Sequence, residues 1–287
     1  MPDKASLARA VVVTGASTGI GAACAEELAQ RGWRVFAGVR STQDGETVQS
    51  RGGKGIKPLL LDVTKPETIA AAAASVAEAT GEKGLQGLVN NAGVVVGGPL
   101  EFVPPDAVEH QFRVNVFGLI SVTQAFLPLI RAGHGRIVLM SSTSGFWCEP
   151  FLGPYAATKH AVEAIGDALR AELHPWGIKV ALVQPGIIAT PIWDKSRAVM
   201  QQMLASLPEA CPELYAGAIA SVQAVSKRAQ RLAIEPGRVA RTVRRALESR
   251  RPRTRYPVGP DARMQSALIR FIPDHMRDRI MRWIMGL

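Results

Sequence analysis

Short apolar runs alternate with stretches of helical pattern along the first two thirds of the chain, and this alternation restricts the fold more than any other feature. The runs are Ala10–Thr14, Arg34–Val39, Ile56–Leu61, Leu85–Asn90, Arg136–Ser141 and Ile178–Gln184. Each has strand length and a mostly apolar content, as buried strands do. Helical patterns fill the gaps at Ile20–Arg31, Thr68–Ala79, Ala107–Ile130 and Pro154–His174. Repeated strand–helix units of this spacing predict an α/β fold, a doubly wound parallel sheet of the Rossmann kind. The composition agrees: 47% of the 287 residues are hydrophobic but only 6% are aromatic. Small apolar side chains let helices pack closely on a buried sheet.

The pattern weakens after Gly186. Residues 191–232 are rich in Met, Ala and Leu, with Pro208 and Pro212 as breakers. They suit a helical cover at about 190–235 over a site in a domain spanning 1–260. Pro236-Gly237 stops that pattern, and Arg238–Arg250 reads as the next helix. Thr254–Val258 reads as a last strand, placed at an edge because Pro257 cannot donate to a ladder. Residues 261–287 form a basic amphipathic segment broken at Pro273, with Met264, Leu268, Ile272 and then Met276, Ile280, Ile284 on one stripe.

The formal charge is +10, and residues 238–287 carry most of it, with thirteen arginines against four acids. A basic tail suits anionic lipid, nucleic acid or an acidic substrate, or forms a solvated face. Nucleic acid is not expected, because the arginines are not interleaved with stacking aromatics. Peripheral contact of 261–287 with an anionic membrane is one reading. The other is that its apolar stripe packs on the domain, closes the pocket or joins subunits. No run reaches the eighteen or so apolar residues of a membrane span, and the charged start, Met1 to Ala10, does not read as a signal peptide. The three cysteines, Cys24, Cys148 and Cys211, have neither disulfide nor metal spacing. A cytoplasmic setting and no metal site are expected.

Chemistry-bearing residues gather where strands end. After the first strand comes Gly15-Ala16-Ser17-Thr18-Gly19-Ile20-Gly21, a glycine-rich turn that lets the backbone and a helix start approach a pyrophosphate. The second strand ends at Arg40, where NAD sites place an acid for the ribose 2′-hydroxyl. Arg40 suits a 2′-phosphate instead, which favours NADP(H) over NAD(H); the alternative is a surface arginine. Asp62-Val63 ends the third strand and suits an adenine edge, or a turn. Asn90-Asn91-Ala92-Gly93 ends the fourth. Ser142 follows the fifth, and Asn115 sits mid-helix, where its propensity is poor and a polar task is the usual reason. Tyr155 and Lys159 stand four apart on one helix face. A cation beside a phenol favours the phenolate and would make Tyr155 a proton exchanger near neutrality.

With these residues in this order, the chain resembles the short-chain dehydrogenase/reductase family over roughly residues 8–190. The matching set is Thr14–Gly21, Asp62, Asn90–Gly93, Asn115, Ser142, Tyr155, Lys159 and Pro185-Gly186. The resemblance implies that Tyr155 is the general acid/base and that Ser142 bonds the reacting oxygen. It implies that Lys159 holds the nicotinamide ribose and lowers the tyrosine pKa, and that Asn115 supports a proton-relaying water chain. Ile188 and Thr190 would contact the nicotinamide carboxamide. The ending Arg253-Thr254-Arg255-Tyr256-Pro257-Val258-Gly259 looks like the retinol and hydroxysteroid dehydrogenase branch, although the N-terminal anchor of many such relatives is not expected here. That branch implies a lipophilic secondary alcohol or ketone as substrate, and the family implies a homodimer or homotetramer through the helices around 107–130 and 155–174. Val95, Trp147 and Trp193 are the expected substrate contacts in an apolar pocket. The competing class is a dinucleotide-binding sensor or scaffold without turnover. It would need the glycine turn but not Ser142, Tyr155 and Lys159 together.

Overall fold

The protein was obtained as a computed structural model that describes residues 9–190, 210–269 and 271–285. Seven parallel strands form one sheet in the order β3-β2-β1-β4-β5-β6-β7. They are β1 (Ala10–Val13), β2 (Arg34–Val39), β3 (Ile56–Leu60), β4 (Gly87–Asn90), β5 (Arg136–Met140), β6 (Lys179–Pro185) and β7 (Arg255–Val258). The strand order reverses between β1 and β4, which opens a crevice at their carboxyl ends. Both edge strands carry a proline, Pro58 in β3 and Pro257 in β7, where a missing N–H costs least.

Helices cover both faces. On one side lie α1 (Gly19–Gln30) and α8 (Pro236–Glu248), which pack on each other. They close a core around Val11, Val13, Leu28, Val35, Val239 and Val243. On the other lie α3 (Pro66–Thr80), α5 (Gly118–Ala132) and α6 (Gly153–Glu172), over Val12, Leu88, Phe126, Ile137 and Leu182. Each side chain removed from water in this way contributes about 1.5–3 kcal/mol. The stretch Pro105–Ala132 has the length and hydropathy of a membrane span. Its apolar residues Val122, Phe126 and Ile130 are spent on this core, fully buried.

Two departures from the sequence reading have physical causes. A helix α2 (Thr42–Gly52) follows β2, where polar residues gave no apolar period. It is anchored by an N-cap, the Asp44 N–H donating to Ser41 Oγ at 3.2 Å, and by Gly45, where a Cβ would meet Pro58 at 2.9 Å. The long helix around Asn115 is not uniform. A regular α4 (Pro105–Phe112) passes through a π-turn, Arg113–Phe117, before α5. Such turns widen the helix locally and often mark functional sites.

After the sheet come α7 (Ala210–Gln230), α9 (Pro260–Leu268) and α10 (Asp274–Met285). α7 sits over the loop after β4, with Tyr215 edge-on to Phe102 and Phe151 and donating to Glu101 at 2.9 Å. Of the sequence stripe on 261–287, Met264, Leu268 and Met276 are 59%, 44% and 48% exposed, while Ile272 and Ile280 are half-buried. Met281, one position off the stripe, is buried against Trp147, and Ala262 is buried at the start of α9.

Candidate active site

The turn after β1 is built from Thr14. Its hydroxyl accepts from the N–H groups of Asn91 and Ala92 at 2.9 and 3.0 Å. Asn91 Nδ2 in turn donates to the carbonyls of Thr14 and Gly15 at 2.9 and 3.1 Å. Gly15 takes φ +62°, and a Cβ there would lie 2.8 Å from Ala92 Cα. The β1 turn and the end of β4 are thus locked together. α1 starts without a side-chain cap and without an acid in its first turn. Its free N–H groups and positive end are open to an anion.

A cleft of about 370 Å3 runs from this turn along the strand ends. Arg40, exposed at the end of β2, lines it and makes no hydrogen bond or ion pair among the described residues. Asp62 lies opposite the same end. Burial pushes its carboxyl up, but the Thr64 N–H and hydroxyl, with Lys65 and Arg40 nearby, hold it below its ordinary value. An open helix start, a free guanidinium and an ionised carboxylate along one groove fit a phosphorylated dinucleotide.

The far end of the cleft holds Ser142, Tyr155 and Lys159. Ser142 follows β5 and lies within hydrogen-bonding reach of the Tyr155 phenol. Burial pushes that phenol up to about 12, with Ser142 opposing and the Glu149 charge adding to the rise. Lys159 Nζ donates to the Met140 carbonyl at 2.8 Å and stands 5.6 Å from the Tyr155 ring centre. Burial lowers its pKa to about 8, against the pull of Glu163. The expected lowering of the tyrosine pKa by Lys159 is therefore not seen in the protein alone. Desolvation of the phenol outweighs a cation bound elsewhere.

Asn115 projects from the π-turn and is 2% exposed. Its Oδ1 accepts from Val94 N–H at 2.9 Å, and its Nδ2 donates to Val94 O at 2.9 Å and Thr158 Oγ1 at 3.1 Å. It ties the β4 loop to α6 from behind the cleft.

The sequence model of the short chain dehydrogenase family matches residues 9–201. The chain belongs to the short-chain dehydrogenase family. It is similar to the NADPH-dependent 3-dehydrocapnine reductase of Ornithobacterium rhinotracheale, with 35% identity over 95% of each chain. It is 36% identical to the 17-beta-hydroxysteroid dehydrogenase type 6 of Bos taurus, over 94% of this chain and 87% of that one. Among solved structures it resembles a short chain dehydrogenase of Burkholderia cenocepacia J2315 in complex with NADP. The TM-score is 0.73 at 26% identity, over 95% of this chain and 97% of that one. The relatives include the retinol and hydroxysteroid dehydrogenase branch, as the ending at 253–259 suggested. The protein is an NAD(P)-dependent oxidoreductase of this family.

In this short-chain dehydrogenase the cleft brings together most of the residues that the sequence singled out. Gly15, Ser17, Thr18, Gly19 and Ile20 line one end, Arg40, Asp62 and Val63 the side, and Asn91, Ala92 and Gly93 the floor. Val95, Ser142, Tyr155, Lys159, Pro185, Gly186, Ile188 and Thr190 line the rest. Gly21 does not line it; it is buried in α1, where a side chain would collide with the Gly15 carbonyl and the Asn91 amide. Trp147 does not line it either. It is 8% exposed, and its indole N–H donates to Met281 Sδ at 2.9 Å. It therefore seats α10 rather than a substrate. Trp193 lies outside the described residues, as does the 191–209 part of the expected cover. Sequence reasoning missed Thr14 as the hub of the turn and Glu149 in the cleft wall. Thr14 carried a signal in its place just before the glycines; Glu149, in an irregular loop, carried none.

Proposed function

We propose that the enzyme interconverts a lipophilic secondary alcohol and its ketone, with NADP(H) as the preferred cofactor and Tyr155 as general acid/base. The observation that carries this reading is the convergence of Ser142, Tyr155 and Lys159 at one end of a cleft whose other end suits a dinucleotide. A nicotinamide held in the cleft would supply or accept the hydride at the reacting carbon. In ketone reduction Tyr155 gives its proton to the carbonyl oxygen, and a phenol that is neutral in the folded protein is ready to donate. Ser142 hydrogen-bonds the same oxygen and orients it, while Lys159 holds a positive charge beside the developing oxyanion. Asn115 keeps the β4 loop and α6 in register.

Preference for NADP rests on the unpaired Arg40 and is in keeping with a relative named NADPH-dependent and a neighbour solved with NADP. A lipophilic substrate rests on the apolar wall of Val94, Val95, Leu152 and Ile187 and on relatives named for steroids and retinol. The test is equilibrium binding of NADPH and NADH to wild type and Arg40→Ala, followed by NADPH oxidation with a panel of hydrophobic ketones. Tighter NADPH binding, lost in the variant, together with ketone turnover is expected. Tight cofactor binding with no turnover across the panel would return the protein to the sensor or scaffold class.

The C-terminal helices support a second element, peripheral contact with an anionic membrane from which such a substrate enters. Phe271 and Trp283 are 82% and 83% exposed, beside Arg277, Arg279 and Arg282. Aromatic tips with a basic face suit a charged lipid interface. Salt-sensitive binding to phosphatidylserine vesicles, lost in the Phe271→Glu, Trp283→Glu double variant, is expected; no binding at low salt contradicts it. The homo-oligomer expected through α4–α6 is in keeping with Phe117, which is 57% exposed there. Sedimentation of the wild type and Phe117→Glu tests it, a shift to monomer being expected.

A further inference from the structure

Asp261 stands in the first turn of α9 and turns its carboxylate back onto the end of β6. Its Oδ2 accepts from the Ile187 N–H at 2.9 Å. The same carboxylate lies against the backbone of Gly186 and of Gly259, and a Cβ on either glycine would collide with it. Gly186 does not have a positive φ, so its missing side chain serves this close approach and not an unusual backbone.

The segment held in this way is a wall of the cleft, which Pro185, Gly186, Ile187, Ile188 and Thr190 line. Met140 pairs with Val183, and the Ser141 N–H donates to the Val183 carbonyl at 2.8 Å, so β6 runs out beside Ser142. Past the sheet, the Gly186 N–H donates to the Val258 carbonyl at 3.0 Å. The Ile187 carbonyl and the Ala189 N–H pair with the backbone of Ile234, each at 3.0 Å. Those partners are all backbone; Asp261 alone among them holds the wall through a side chain. α9 also packs on the turn Thr143–Gly145, which follows Ser142. One helix start therefore abuts both strand ends that flank the reacting groups. An acid in a first turn ordinarily serves the positive end of its own helix. That accounts for a charge at 261, but not for a bond to the end of another strand or for the glycine that makes room for it.

We propose that Asp261 is a positioning residue for hydride transfer, holding the end of β6 at the spacing that cofactor and substrate carbon require. The inference rests on the oxidoreductase reading above and adds a residue of the C-terminal segment to its site. Asp261 takes no part in the bonds that change: in reduction the carbonyl carbon receives the hydride of NADPH, and its oxygen the proton of Tyr155. Such a transfer needs reacting atoms about 3–3.5 Å apart, and a wall displaced by about 1 Å can cost about 100-fold in rate.

The test compares wild type, Asp261→Asn and Asp261→Ala in the full chain. Asn keeps an acceptor oxygen for the Ile187 N–H, and Ala does not. The Asp261 charge also reaches Glu149 in the cleft wall. Both variants remove that charge, so the difference between them reports the hydrogen bond. Amide hydrogen exchange over residues 186–190 is measured without cofactor. Single-turnover reduction of a hydrophobic ketone at saturating NADPH, the NADPH dissociation constant and Tm are measured alongside. Asp261→Ala should speed exchange at Ile187 by about 10-fold and slow hydride transfer by about 10-fold or more, with NADPH affinity within about threefold. Asp261→Asn should stay within about threefold of wild type in each readout. A hydride-transfer rate that Asp261→Ala leaves unchanged, or an Asn variant no better than Ala, overturns the proposal. So does a loss seen only in Tm or in NADPH affinity, which a purely structural role would give. Should Asp261→Ala not fold, Asp261→Ser, one bond shorter in reach, takes its place. If wild type reduces no ketone while exchange at Ile187 still follows the variants, the clamp stands and the alcohol–ketone reading fails.

Discussion

Lys159 directs its ammonium to the Met140 carbonyl 2.8 Å away and keeps 5.6 Å from the centre of the Tyr155 ring. The cation is thus fixed by the end of β5 and shared with the tyrosine only at a distance. Its task in the free protein is to hold charge at the cleft wall, and burial makes that charge labile near pH 8.

That lability gives a pH dependence. Burial depresses the Lys159 pKa in the folded protein, so the ammonium is present below about 8 and lost above it. NADPH affinity should fall as pH rises through that value, and Lys159→Ala should be weak and flat across it. Folding stability should move the other way. Between about 8 and the ordinary lysine value the unfolded chain binds more protons, so this group's contribution to stability rises with pH. Titrations of NADPH fluorescence and of the unfolding midpoint from pH 7 to 10 check both signs.

Gly15→Ala should lose cofactor binding with only part of the fold's stability. The left-handed backbone costs about 1 kcal/mol for a residue with a Cβ, and contact with Ala92 adds to it. The strain falls on the turn that presents the α1 amides. NADPH affinity should drop at least about tenfold, with a smaller loss of Tm. Unchanged affinity would mean that the turn is not the phosphate cradle.

Arg255 clamps the edge strand β7 to α6. It meets Glu163 at 2.8 Å and both oxygens of Asp167 at 2.8 Å. Glu163 is 9% exposed; among the described residues its other hydrogen bond comes from the Gln184 amide, 2.9 Å away, and the Lys159 charge is nearby. Arg255→Ala leaves a nearly buried carboxylate short of its cation, at a cost of about 2–3 kcal/mol. Denaturant unfolding measures it. A loss of about 0.5 kcal/mol or less would class the cluster with exposed surface pairs.

The strand pattern was legible because parallel strands buried on both faces are apolar throughout, and the six expected runs match β1–β6 to within two residues. The edge position of β7 was legible from Pro257 alone. α2 was not, since a helix held by a cap and a close glycine contact leaves no apolar period. Asn115 announced a polar task through poor propensity, yet nothing in the letters foretold the π-turn, which depends on where Val94 and Thr158 come to lie. Trp147 misled because an aromatic near a site is equally suited to seating a neighbouring helix, here through Met281. Glu149 was invisible because only the fold turns an irregular loop toward the cleft.

The measurement that bears most directly on the account is single-turnover reduction of a hydrophobic ketone by NADPH, in wild type and Tyr155→Phe. NADPH binding should be measured alongside. The phenol's proton is what the variant removes, so kcat should fall by about 100-fold or more while the NADPH dissociation constant stays within a few fold. Normal turnover in Tyr155→Phe would contradict the assignment of Tyr155 as the acid/base, whatever the substrate proves to be.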